Sequence, residues 1–120
     1  MRKIVNLTMH PCSSEQTAEG VFEPKNKEGV KAALFFQDIP TSVDIFWKAE
    51  ELAGHALASG AKAAMIGGAP YLMAPLERAL KAQGVKPLYA FSKRESKEVV
   101  DPDGSTRKVA FFRHLGFVEA

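Results

Sequence analysis

The chain has 120 residues, 46% of them hydrophobic and 25% charged, with a formal net charge of +2. That length holds one core, so residues 1–120 are read as one domain. The charge is too small for binding along a nucleic-acid polymer. No run approaches the roughly 20 apolar residues of a membrane span, and the apolar part of MRKIVNLTMHPCSSEQ is too short for a secretory signal. The single cysteine, Cys12, excludes an intrachain disulfide and fits a reducing cytoplasm.

Lys3–Thr8 (KIVNLT) reads as a first strand that breaks at Met9-His10-Pro11. Ser13 or Ser14 then caps a short helix, with Glu15 and Gln16 in its first turn, and Gly20 ends it. This places Thr8, His10, Cys12 and Ser13 at the carboxyl end of that strand. Val21–Gly29 is a polar connection, and Val30–Phe36 (VKAALFF) reads as a second strand ending at Asp38-Ile39-Pro40. Thr41 or Ser42 caps the longest helix, which runs to about Ser59 before Gly60. Its apolar stripe is Phe46, Ala49, Ala53, Ala56 and Leu57, with Trp47 beside it.

Lys62–Ile66 is the third strand, closed by Gly67-Gly68. Pro75 would clash with the carbonyl of residue 71, so a loose turn is expected through Ala69–Leu72 and a regular helix from there to about Gln83. Gly84 supplies the left-handed position that ends it. Lys86–Phe91 is the fourth strand, followed by the polar run Ser92-Lys93-Arg94-Glu95-Ser96. Glu98–Val100 and Thr106–Phe112 form a hairpin around Pro102-Asp103-Gly104. The alternation predicts a three-layer α/β fold whose mostly parallel sheet has about four strands. The C-terminal β-hairpin extends one edge of that sheet or reaches a second subunit.

In parallel sheets ligands bind beyond the carboxyl ends of the strands. Gly67-Gly68 there lets a ligand approach the main chain, or is simply a tight turn; it is neither a dinucleotide nor a phosphate-loop fingerprint. Tyr71 stacks on a base or packs. His10 is placed for general acid or base work, or bonds to the turn after it. Cys12 reads as a buried thiol rather than a nucleophile. If the chain after Phe91 stays extended, Ser92, Arg94, Ser96 and Glu98 share one face. A guanidinium with serine hydroxyls then offers a phosphate site, with Glu98 orienting Arg94; the bland alternative is a solvated strand exit. Three histidines without ligand spacing give no expectation of a metal.

Segments at both ends and in the middle carry a resemblance. Tyr89-Ala90-Phe91-Ser92-Lys93-Arg94-Glu95-Ser96-Lys97-Glu98 is followed by Asp103-Gly104, Lys108 and Phe112-Arg113-His114-Leu115-Gly116-Phe117. With Thr8-Met9-His10-Pro11, Glu15-Gln16 and Ile66-Gly67-Gly68, this resembles the small CRISPR-associated proteins of the Csx type, which are related to CARF domains. The resemblance is weak over residues 20–60, and Gly-Gly-Ala-Pro-Tyr-Leu-Met departs from the Gly-Asp turn of some relatives. It implies a Rossmann-like fold and a cytoplasmic homodimer that binds cyclic oligoadenylate across its two-fold axis. It implies a ring nuclease without metal or other cofactor, in which a ribose 2′-hydroxyl attacks the adjacent phosphate; the other reading is a binder that does not cut. The residues then expected in catalysis are Arg94, Ser92, His10 and Glu98. Those expected against the ligand are Thr8, Gly67, Gly68, Ala69, Tyr71, Ser96 and His114.

Overall fold

The structure is a computed structural model that describes residues 3–120. Met1 and Arg2, which open the segment read above for a secretory signal, lie outside the described residues. The elements in order are β1 (Ile4–Leu7), α1 (Ser14–Ala18), β2 (Val21–Phe22), α2 (Lys27–Leu34), α3 (Ser42–Ser59), β3 (Ala63–Ile66), α4 (Pro70–Ala82), β4 (Lys86–Val100) and β5 (Thr106–Glu119). They build a mixed α/β fold around one curled sheet of order β2-β1-β3-β4-β5. The first four strands in that order are parallel, and β5 returns antiparallel to β4.

Local chemistry sets most of these boundaries. Ser13 caps α1 in a capping box with Gln16, and Thr41 caps α3 in the same way with Asp44. Each box satisfies two backbone donors that a helix start leaves open. Gly60 ends α3 at φ 76°, a left-handed conformation that costs glycine little. β1 is buried along its whole length, as a strand with parallel neighbours on both sides must be.

The expected second strand is a helix. Val30–Leu34 belongs to α2, which Asn26 caps by accepting the Gly29 N–H. Its Val30, Ala33 and Leu34 bury at helical spacing, and a short apolar run does not by itself distinguish the two states. The strand beside β1 is instead Val21–Phe22, inside what reads as a polar connection. The sheet therefore has five strands rather than about four.

Two further expectations are corrected. α4 starts at Pro70, in the first helical position, and carries Pro75 within it rather than starting after a loose turn. Leu72, Leu76, Ala79 and Leu80 all bury on one stripe, which outweighs one missing donor near the amino end. In α3 the buried residues are Ala49, Leu52, Ala53 and Ala56, whereas Phe46 and Leu57 are half exposed, as is Trp47.

The two sheet faces are unequal. One packs Val5, Leu7, Ala64 and Ile66 against α2, α3 and α4 in the main core. The other has a smaller apolar cluster of Ile4, Val21 and Met65, with Cys12, Leu88 and Phe117 packed against them, so the third layer is thin and its helix is α1.

The fourth strand does not stop at Phe91. β4 runs 15 residues and β5 runs 14, paired from Leu88–Glu119 to Val100–Thr106, with a bulge that leaves Leu115 unpaired. β3 accompanies β4 only as far as Tyr89. Beyond it the hairpin continues as a two-stranded arm past the carboxyl end of the sheet. The radius of gyration is 16.8 Å, against about 14 Å for a compact chain of this length. The longest dimension is 56 Å.

Candidate functional site

A crevice of about 510 Å³ opens at the carboxyl ends of β1, β3 and β4. Its walls are Thr8, Met9, His10 and Pro11 with Gln16 on one side, and Tyr89 and Ala90 on the other; Met65, Ile66, Gly67 and Gly68 make the floor. The volume lies within the range of small-molecule sites. Gly67 and Gly68 play different parts. Gly68 has φ 151°, which strains an L side chain, whereas a Cβ on Gly67 would meet only the Thr8 methyl, at 3.7 Å. Gly68 is therefore needed by the turn, and Gly67 leaves open space that its own fold does not require.

The loop from Thr8 to Cys12 is held by a network that the sequence reading did not single out. Asn6 is fully buried in β1. Its Oδ1 accepts from the Thr8 N–H (2.9 Å) and the Thr8 hydroxyl (2.6 Å), and its Nδ2 donates to the His10 carbonyl (2.8 Å). The Glu23 carboxylate accepts from Asn6 Nδ2 (3.2 Å) and from the Cys12 N–H (2.7 Å) and pairs with Lys27 at 2.9 Å. Lys27 also donates to the carbonyls of Thr8 (2.9 Å) and His10 (3.2 Å). Burial pushes the Glu23 carboxyl up, but the hydrogen bonds from Cys12, Lys27 and Asn6 outweigh it and bring its pKa to about 2. A polar residue in the middle of the apolar run KIVNLT was the available signal, since a buried amide must find partners.

Burial first, and then Glu23, pushes the Cys12 thiol up; the side chain is half-buried rather than the buried thiol expected. On the opposite wall, the Tyr89 hydroxyl donates to Glu77 of α4. Burial, together with that carboxylate, pushes the Tyr89 pKa up to about 12.

Of the expected site residues, the crevice brings together Thr8, His10, Gly67 and Gly68. Ala69 is the residue before α4 and packs against the main core. Tyr71 faces away, into a separate groove of about 380 Å³ between α3 and α4, with its ring edge-to-face on Phe36 at 5.4 Å. His114 is buried on the α1 side of the sheet. Its Nε2 lies 3.0 Å from Glu19 at an ion-pair distance without hydrogen-bond geometry, its ring meets Phe117 at 4.9 Å, and its N–H donates to Glu15. It clasps α1 to β5 and does not line the crevice.

Ser92, Arg94, Ser96 and Glu98 do share a face, because the chain stays extended, but that face is on the arm. Arg94 stands four residues beyond Ala90, about 13 Å along the strand. It reaches the crevice only through a ligand large enough to span both. Directly across from Arg94 is Phe112, 73% exposed, so an aromatic face and a guanidinium stand together in solvent.

No helix among the described residues is long and apolar enough to cross a membrane. No curated protein and no solved structure matches the chain. Residues 2–118 match the model of the uncharacterized protein MJ1673 family, and the chain belongs to that family.

Proposed function

We propose that this protein is a cytoplasmic, Rossmann-like homodimer that binds cyclic oligoadenylate, with cyclic tetra-adenylate the expected ring, and linearises it, as ring nucleases of type III CRISPR systems do. The observation that carries the reading is the open crevice at the carboxyl ends of three parallel strands, floored by a glycine at which a Cβ would meet nothing but the Thr8 methyl. Phosphate oxygens approach the Gly67 and Gly68 main chain. Arg94 and Phe112 offer the next phosphate and base a charge and a stacking face.

The chemistry asks little of the protein. A ribose 2′-hydroxyl held in line with the adjacent phosphorus displaces the 5′-oxygen, leaving a 2′,3′-cyclic phosphate and a free 5′-hydroxyl. His10 takes the 2′-hydroxyl proton, water protonates the departing 5′-oxygen, and Arg94 stabilises charge on the phosphate; in-line positioning supplies the rest. Ser92 and Glu98 stand on the same face of the arm as Arg94.

One observation favours a second reading. Arg94 and Glu98 are separated from His10 by the length of the arm base, so one chain does not assemble these groups at one phosphate. On that reading the protein sequesters the ring without opening it. A single-turnover assay on labelled cyclic tetra-adenylate with product chromatography decides. Linear product that disappears in a folded Arg94→Ala variant supports cleavage; tight binding with no product supports sequestration. Turnover unchanged in Arg94→Ala removes Arg94 from the mechanism.

A further inference from the structure

The arm carries an unused edge. Beyond Tyr89, β4 has β5 on one side and no strand on the other among the described residues. From Phe91 to Glu98 every side chain is exposed except Glu95, which is half-buried. A two-stranded ribbon with both faces in water is marginal by itself, and a free edge is a template for another strand.

The charges along that edge have an unusual order. Arg94-Glu95-Ser96-Lys97-Glu98 reads plus, minus, neutral, plus, minus. Turned antiparallel against a copy of itself about Ser96, it sets Arg94 opposite Glu98 and Glu95 opposite Lys97, each twice, with the two Ser96 residues on the axis. A shift of one residue either way sets Arg94 against Lys97 or Glu95 against Glu98. Directly opposed residues of antiparallel strands share a face, so each charge meets its counterpart on the same side of the sheet. Arg94 and Glu98 have no ion-pair partner in their own chain among the described residues.

We propose that the β4 edge of the arm pairs antiparallel with the same edge of a second copy of this chain, about a two-fold axis through Ser96. Residues 92–100 of each copy join two ribbons into one four-stranded sheet. The contact is isologous and closes after two chains. It sets Arg94, Ser96 and Glu98 of both copies on one face around the axis. It brings the arm tip of each copy, at Asp101 and Pro102, to the base of the other's arm, at Ala90 and Phe91. The dimer in the functional reading is thereby located, but this inference stands on the arm alone and its test contains no nucleotide.

The test is sedimentation equilibrium on the full chain without ligand, with thermal unfolding as the check on folding. The wild type is expected at twice the 13.1 kDa chain mass. Arg94→Glu and Glu98→Arg each replace two attractive pairs with two repulsive ones and weaken the dimer by at least about tenfold. The double variant restores it, because each pair is only inverted. An equimolar mixture of the two single variants forms a heterodimer, since one carries two acids and the other two bases at these positions. A monomeric wild type overturns the proposal, even one that captures an extended peptide on this edge. So do single variants that dimerise as the wild type does, a double variant no tighter than the singles, or a mixture that stays monomeric.

Discussion

The body and the arm are held by different means. In the body, each strand of the parallel part is covered on its main face by α2, α3 and α4, the starts of α1, α2 and α3 are capped by side chains, and a buried amide on β1 has its partners. In the arm, the ladder between β4 and β5 is the main contact, and Phe91, Val100 and Phe112 stand in water. The body accounts for its own stability. The arm does not bury enough to account for its length, and its residues make sense only against something else. That contrast underlies the two proposals: the crevice belongs to the packed body, and the arm is the part proposed to meet a second chain and a ligand.

The largest expected effects lie in the body. Leu76→Ala empties a fully buried position under α4 and should cost about 2–5 kcal/mol in denaturant unfolding. Phe112→Ala on the arm should change the same quantity by no more than about 0.5 kcal/mol, measured on the Arg94→Glu background so that association does not enter. A comparable cost for both would erase the distinction between the two regions.

The network under the crevice comes next. Asn6→Ala removes the hub that holds Thr8 and His10 and should cost about 1–3 kcal/mol, with faster amide exchange at Thr8 and Cys12. Gly68→Ala should cost about 1 kcal/mol because of its positive φ. Gly67→Ala lacks that strain, and its effect should appear in ligand affinity rather than in melting temperature.

The last effect is a pH dependence. The folded-state pKa of Glu23 is lowered from 4.5 to about 2, so its contribution is present above 4.5 and is lost as pH falls toward 2. Wild type should lose stability across that window relative to Glu23→Gln, and the two acid limbs should converge at its lower end. Parallel limbs would remove Glu23 from the account.

What was legible in the sequence follows the same division. Ser13 and Thr41, each one of two caps the sequence offered, the strand ending in Gly67-Gly68 and the glycines that end α1, α3 and α4 are local signals, and they are found in those places. VKAALFF was ambiguous because its apolar run is short and its helix cap, Asn26, lies outside it. Pro75 argued against helix at Pro70–Leu72, a first turn that core burial then enforced. Asn6 and Glu23 are 17 residues apart, and nothing local announces their contact. The face shared by Ser92, Arg94, Ser96 and Glu98 was legible from strand period alone, but its distance from His10 depends on how far β3 accompanies β4, a register between strands.

The most direct measurement is an amide NMR titration of the protein with cyclic oligoadenylates of increasing ring size. The account predicts that one ring shifts the Gly67, Gly68, Thr8 and His10 amides together with Arg94 and Phe112 on the arm. No shift with any ring, or shifts confined to the groove around Tyr71, would contradict it.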